Sequence, residues 1–278
     1  MKTIDELLYL IMLQTELDVP AELLNSIRGF WYRDIDFGTS PSAFEVLPDG
    51  HAEIIFYFGS DFSLLHNGQM KPLTSPFIVG LLQQPIYFQS VGRLQIIGIK
   101  CLPWAVYDIL EMPPANGGVQ TFAHPIALLQ SGLHTLLATG KIDEALALVR
   151  DWFLKNKPAM TPEILKAGEA MLAANGSLPV SSVAAAAHAT VRTLERKFKA
   201  SSGHTMKDVS GLIRFEQVRN RIWENPEINI SGLAYELGYA DQSHLNREFK
   251  RFSGLTAAAF AKRKKQISED FVAIVLSS

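Results

Sequence analysis

An α+β chain in two parts is predicted: an N-terminal β-rich barrel or sandwich with flanking helices, then an all-α domain of two helix-turn-helix units joined by a long helix. Three observations predict it. Between Phe30 and Leu110 the chain is a series of short aromatic and β-branched runs broken by turn residues. Beyond Gly176 apolar residues recur at three- and four-residue steps. Two stretches there, Ser181 to Gly203 and Ile230 to Gly254, repeat one plan about 50 residues apart.

Taking the elements in order, residues 1 to about 25 read as a helix, with Leu7, Leu8, Ile11, Met12, Leu23 and Leu24 on apolar faces and Pro20 as an interruption. The β-like runs that follow are FWYRDIDF, SAFEVL, AEIIFYFG, FSLLH, SPFIVGLL, IYFQSV and LQIIGIKCL. Pro48-Asp49-Gly50, Asn67-Gly68 and Gly92 separate them, a spacing that suits antiparallel strands in a small barrel or sandwich. After PPANGG (113–118) the helical period returns over His124 to Leu137, Lys141 to Leu154 and Thr161 to Ala174. Thr161-Pro162-Glu163 has the form of a helix start, with a capping hydroxyl and proline in the first turn. Asn175-Gly176-Ser177 ends that helix. The expected division is therefore 1–120 (β-rich, with the N-terminal helix), 121–175 (helical, linking or dimerising), 176–268 (double helix-turn-helix) and 269–278 (an apolar tail).

The 278 residues are 47% hydrophobic, enough for two cores. The longest N-terminal apolar run, Leu7 to Leu13, follows Asp5 and Glu6 and is too short to span a bilayer, and nothing in the sequence resembles an export signal. One cysteine, Cys101, excludes an internal disulfide framework and fits a reducing cytoplasm. The net charge of −2 conceals an asymmetry: residues 176–268 hold 15 Lys and Arg against 8 Asp and Glu, whereas the remainder holds 11 against 20. An acidic part joined to a basic one is what a polyanion binder with a separate second domain requires.

Within the basic part, Ile230, Leu233, Ala234 and Leu237 set an apolar stripe on the second unit's first helix, and Gly238 supplies a turn. Asp241 is placed to cap the next helix, which Leu245 and Phe249 anchor to the core. Its other face carries Gln242, Ser243, Asn246, Arg247 and Lys250, side chains that can bond base edges or phosphates. The first unit matches: Val183, Ala184 and Ala187 support, Thr190 caps, Leu194 and Phe198 anchor, and Arg192, Thr193, Glu195, Arg196 and Lys199 face out. A carboxylate such as Glu195 near phosphates has to accept from a cytosine amino group or orient Arg192 or Arg196, unless it is an ordinary surface glutamate paired with arginine. Lys207 to Trp223 reads as a connecting helix. Two such units on one chain can enter two successive major grooves of duplex DNA.

LIRFEQVRNRI followed by ISGLAYELGYADQSHLNREFKRFSGLTAAAF resembles the signature of the AraC-type family of bacterial transcription regulators over roughly Ser177 to Arg263. The resemblance implies base contacts from Arg192, Glu195 and Arg196 in one groove and from Gln242, Ser243, Asn246 and Arg247 in the next. Three positions depart from the pattern: Ala257 stands where the family usually has proline, His188 where the first turn often has glycine, and Leu245 for a common aromatic. FGTSPSAFEVLPDGHAEIIFYFG and IIGIKCLPWAVYDIL look like the β-rich N-terminal domain of one branch of that family. Such domains bind an effector, self-associate, or both. The resemblance thus implies a homodimeric regulator acting on promoter or operator DNA and on RNA polymerase.

For the first half itself, His51 and Glu53 are two apart but lack the paired histidines of a metal site, so no metal or cofactor is expected. No nucleophile–base arrangement, phosphate loop or cysteine cluster suggests an enzyme. The candidate effector surface is Trp31, Tyr32, Phe56, Phe58, Tyr87, Phe88 and Trp104, with Arg33, Glu45 and Glu53 as orienting charges. A small barrel's ordinary core has the same composition. The alternative is a ligand-independent DNA binder whose N-terminal domain only oligomerises.

Overall fold

Alternation along β2 (Ile27–Asp36) sets the architecture of the first half. Phe30 and Tyr32 enter one core, while Ile35, with Trp31 packed beside it, enters another. A computed structural model describes residues 15–66, 68–114, 118–157 and 160–266 and shows why two cores are needed. The strands are β1 (Thr15–Leu17), β2, β3 (Ser42–Val46), β4 (Ala52–Gly59), β5 (Phe62–His66), β6 (Gln69–Pro72), β7 (Phe77–Val79), β8 (Ile86–Ser90), β9 (Arg93–Cys101) and β10 (Val119–Thr121). They form a six-stranded sheet, β1-β2-β9-β4-β7-β10, and a four-stranded one, β3-β8-β5-β6. Every recorded pairing is antiparallel.

Period two puts alternate residues of the large sheet on opposite faces. Ile54, Phe56 and Phe58 of β4 and Ile97 and Ile99 of β9 join Phe30 and Tyr32 against the helices. Ile55, Leu94 and Ile96 face the small sheet, where Phe62 lies 4.9 Å from Phe88 and 5.6 Å from Phe77 between ring centroids.

The helix expected over residues 1–25 is corrected where the structure describes it. Thr15–Leu17 is an edge strand paired with Phe30–Tyr32, and Ala21–Leu23 is a single 3-10 turn. Pro20 forces its predecessor toward extended backbone, which suits strand pairing and stops a helix. Leu7, Leu8, Ile11 and Met12 lie outside the described residues, as does the tail 269–278.

The helices are α1 (Val106–Ile109), α2 (Leu129–Ala138), α3 (Ile142–Lys155), α4 (Pro162–Ala173), α5 (Val180–Ala186), α6 (Val191–Ser202), α7 (Met206–Glu224), α8 (Ile230–Glu236) and α9 (Gln242–Ser253), with a tenth, α10, over 257–266. A 3-10 turn, Pro125–Leu128, precedes α2. Thr161 sits at the N-cap of α4, yet its side chain makes no capping bond; proline at the first position makes the start instead. Phe153 of α3 lies 5.9 Å from Phe30, fixing the helical layer to the large sheet. Trp104 packs against Gly168 of α4, where a Cβ would come within 2.1 Å of the indole, and 5.9 Å from Phe198 of α6. Both halves therefore share one apolar core. Among the described residues no helix is long and apolar enough to cross a membrane.

Candidate nucleic-acid interface

The two helix-turn-helix units are α5–α6 and α8–α9. Aligning Leu194 with Leu245 puts Phe198 on Phe249, Lys199 on Lys250 and the left-handed C-cap Gly203 on Gly254. All four anchors are buried to 1% exposure or less. The second helix of each unit starts on a capping side chain: Thr190 Oγ1 accepts from the Thr193 N–H at 3.1 Å, and Asp241 Oδ1 from the His244 N–H at 2.6 Å. The turns differ by one residue. His188 takes up the left-handed conformation in the first (φ 51°), the role Gly238 fills in the second (φ 74°), which accounts for the glycine missing from the first turn.

On α6, Arg192, Arg196 and Lys199 are exposed and Thr193 is half-buried, its hydroxyl 2.9 Å from that of the exposed Thr190. On α9, Gln242, Ser243, Arg247 and Lys250 are exposed. Glu195 and Asn246, equivalent in the alignment, do something else. Glu195 accepts from the backbone N–H of Met206, the first residue of α7, at 3.4 Å. Asn246 accepts from that of Ala257, the first residue of α10, at 3.1 Å. Each half-buried side chain thereby satisfies an otherwise orphaned helix N–H. The departure at Ala257 now has a physical setting, because proline there has no N–H for Asn246 to accept.

The connector α7 holds α9 through a polar cluster. Arg214 donates to both Glu248 oxygens, at 3.1 and 2.8 Å, and to the Gly176 carbonyl at 2.6 Å. The Tyr239 hydroxyl donates to Glu248 at 2.8 Å; burial, and then the Glu248 charge, push that phenol's pKa up. Phe215 lies 4.9 Å from Phe249 and 5.3 Å from Phe252.

A cavity of about 470 Å³ opens between the two sheets and α7, within the range of small-molecule sites. Its apolar end is built by Phe62, Phe77 and Phe88, and its polar end by Trp31, Arg33, Glu53 and Lys100. Arg219, Asn220 and Trp223 of α7 and Phe260 of α10 complete the wall. Trp31 lies flat over Gly98, where a Cβ would be 2.0 Å away, and its indole N–H donates to Glu53 at 3.3 Å. Burial raises the Glu53 pKa against the pull of Lys100.

Of the aromatic set chosen from sequence, only Trp31 and Phe88 line this cavity, with Glu53, Arg33 and Glu45 among the charges. Tyr32, Phe56 and Phe58 belong to the other core, since neighbouring strand positions face opposite sides, and Trp104, beyond the end of β9, joins them there. Tyr87 stands on the outer side of β8, 40% exposed, donating to Glu45 at 2.7 Å. The α7 and α10 wall was not foreseeable, because more than a hundred residues separate it from the strands. Lys100, two residues from Gly98 on β9, shares its face of the sheet with Gly98, a signal that the choice of aromatic residues did not use.

Beside the cavity, the loop at 48–51 docks on α7. Arg219 donates to the Pro48 carbonyl at 2.9 Å, and His51 Nδ1 donates to the Asp49 carbonyl at 2.8 Å and lies 3.6 Å from Glu216. Burial opposes ionisation of Asp49, but Lys100 at 3.1 Å, with His51 and Arg219, outweighs it and lowers the pKa. Burial raises that of Glu216. His51 and Glu53 thus serve separate contacts. Among the described residues no group of three His, Cys, Asp or Glu side chains has metal-binding geometry.

Two parts of the chain match known domain families. Residues 183–263 match a helix-turn-helix domain family, and residues 16–118 match a domain of unknown function, DUF6597. No curated protein matches the chain. Solved structures similar to it include ToxT from Vibrio cholerae O395 (14% identity, 84% of this chain and 96% of that one, TM-score 0.44). The same protein bound to (E)-4-(8-methylnaphthalen-1-yl)but-3-enoic acid shares 10% identity over 85% and 100%, with a TM-score of 0.45. The AraC-like transcriptional activator CuxR shares 11% over 65% and 73%, with a TM-score of 0.30. The matched pair of helix-turn-helix units lies in the stretch that matches the helix-turn-helix domain family, and the β-rich first half in the stretch that matches the domain of unknown function.

Proposed function

We propose that α6 and α9 read two successive major grooves of promoter or operator DNA, about 34 Å apart, and that a small, mainly apolar effector with a polar group controls this from the cavity between the sheets. The observation that carries the first part is the matched build of the two helices: equivalent caps, anchors and C-caps, with exposed Arg196 and Arg247 at one position and Lys199 and Lys250 at another. The second part rests on the cavity having a wall from the connector α7, so an occupant has a direct contact with the helix that holds both units. The bases are read by Arg192, Arg196, Gln242, Ser243 and Arg247, and the backbone by Thr190, Thr193, Lys199 and Lys250. Residues 176–268 are the DNA-binding unit of a cytoplasmic homodimer that acts on RNA polymerase.

Selection from random duplexes by the full-length chain tests the reading. The expected result is a motif with two half-elements about one helical turn apart, its affinity falling steeply with salt. A single half-element confines base reading to one unit. Failure to enrich any motif, with or without a library of small apolar acids, bases and neutral compounds, overturns it. A library member that raises the melting temperature of the chain and shifts operator affinity assigns the cavity; the same result with Trp31→Ala places that compound elsewhere.

A further inference from the structure

We infer that Val191 reads the methyl group of a thymine in the half-element under the first unit, making this side chain a specificity determinant of an otherwise cationic helix. The inference rests on the groove reading proposed above. Val191 is the first residue of α6, directly after the capping Thr190, and stands three residues before the anchor Leu194. Gln242 has the same place on α9, directly after the capping Asp241 and three before Leu245. Both sit at the helix end that enters a major groove when such units bind.

Among the described residues, neither apolar core uses the Val191 side chain. It is 40% exposed and belongs to neither apolar core nor the half-buried residues packed against them, unlike Val180 and Ile230 at the starts of α5 and α8. Valine is a poor helix former, so local propensity does not favour it there either. Its χ1 is stiff, so its methyls are presented in a fixed direction at little entropic cost. A lone exposed valine is common on protein surfaces; its position on a reading helix is what gives this one a consequence.

The neighbouring side chains strengthen the case. The Thr193 hydroxyl is held by Thr190, and Glu195 is held by the Met206 N–H. At the entering end of α6 this leaves Val191 beside Arg192 and Arg196. In the major groove the C5 methyl of thymine is the apolar group a valine can meet, while arginine pairs with guanine O6 and N7. At the equivalent place on α9, Gln242 suits adenine, with Arg247 again on guanine. The two half-elements therefore differ by thymine against adenine at matching positions, which orients the chain on its site.

The test replaces each thymidine of the selected first half-element by deoxyuridine, which removes only the methyl. Wild-type affinity should fall about fourfold at one such position, the size expected for burying one methyl. Val191→Ala should lose about as much on the thymidine duplex and nothing further on the deoxyuridine duplex. Its melting temperature, its salt dependence and its response to changes in the second half-element should match those of wild type. Indifference of the wild-type protein to every deoxyuridine overturns the inference, as does an undiminished deoxyuridine effect in Val191→Ala. A selection that enriches no motif overturns the groove reading itself; a two-part motif indifferent to the methyl overturns only the role of Val191.

Discussion

At Arg247, Lys250 and Asn246, three residues on one short helix, chemistry separates roles that sequence alone groups together. Arg247 is an exposed planar fork suited to guanine, whereas Lys250 is an exposed point charge one turn from the helix end. Replacing Arg247 by alanine should cost about 1–3 kcal/mol on the cognate duplex and relax the base preference under the second unit. Lys250→Ala should weaken all duplexes alike and reduce the salt slope by about one ion. Equal, salt-insensitive binding by both variants and wild type contradicts the assignment. Asn246 is bonded to the Ala257 N–H and is only half exposed. Asn246→Ala should therefore lower the melting temperature, through loss of about 1 kcal/mol, and leave the selected motif unchanged. A shifted motif would return Asn246 to the bases.

Between elements, the strongest polar tie is the Arg214–Glu248 pair that fixes α9 on the connector. Both side chains are largely buried, at 17% and 14% exposure. Removing one partner leaves an uncompensated charge, so Arg214→Ala should cost about 3–5 kcal/mol. Lysine cannot reproduce the two-pronged bond together with the Gly176 contact, so Arg214→Lys should recover only part of that loss in urea unfolding. Full recovery by lysine shows that charge alone matters. These elements were legible because their period, caps and glycine stops agree: Thr190, Asp241, Gly203 and Gly254 act locally, within four residues. The long strands were legible for the same reason, through period two and turn residues. The short strands were not. Gln69–Pro72 is exposed along its whole length and offers no alternation, and Thr15–Leu17 is defined by pairing with β2 rather than by its own composition. Within the candidate site, the exposed cations could be read from helical spacing. The duties of Glu195 and Asn246 could not, because their partners start the next helix, eleven residues on.

Across the whole molecule, the first half meets the connector through the loop at 48–51, and that contact has a pH dependence whose sign follows from its carboxylates. Asp49 titrates at about 2 in the folded chain against an ordinary 3.8. A depressed carboxylate stabilises the fold fully above its unfolded value, and that stabilisation is lost as pH falls through the folded one. Glu216 acts in the opposite sense. Burial raises its pKa above 4.5, so its contribution is present below that value and is lost as pH rises through the folded one. Once pH has passed the folded value of Glu216, the docking rests on Asp49 held by Lys100, His51 and Arg219. Asp49→Asn keeps the size of the side chain and removes its charge. It should therefore cost about 2 kcal/mol at pH 7, with the difference from wild type falling to about half by pH 3. Denaturant unfolding of both proteins across that range reads it out directly. A deficit that stays constant with pH would show that the Asp49 charge is not what seats the loop. A deficit that grows toward acid would reverse the assigned sign, and with it the view that opposite charge at 48–51 keeps the β-rich half seated on the helix that joins the two helix-turn-helix units.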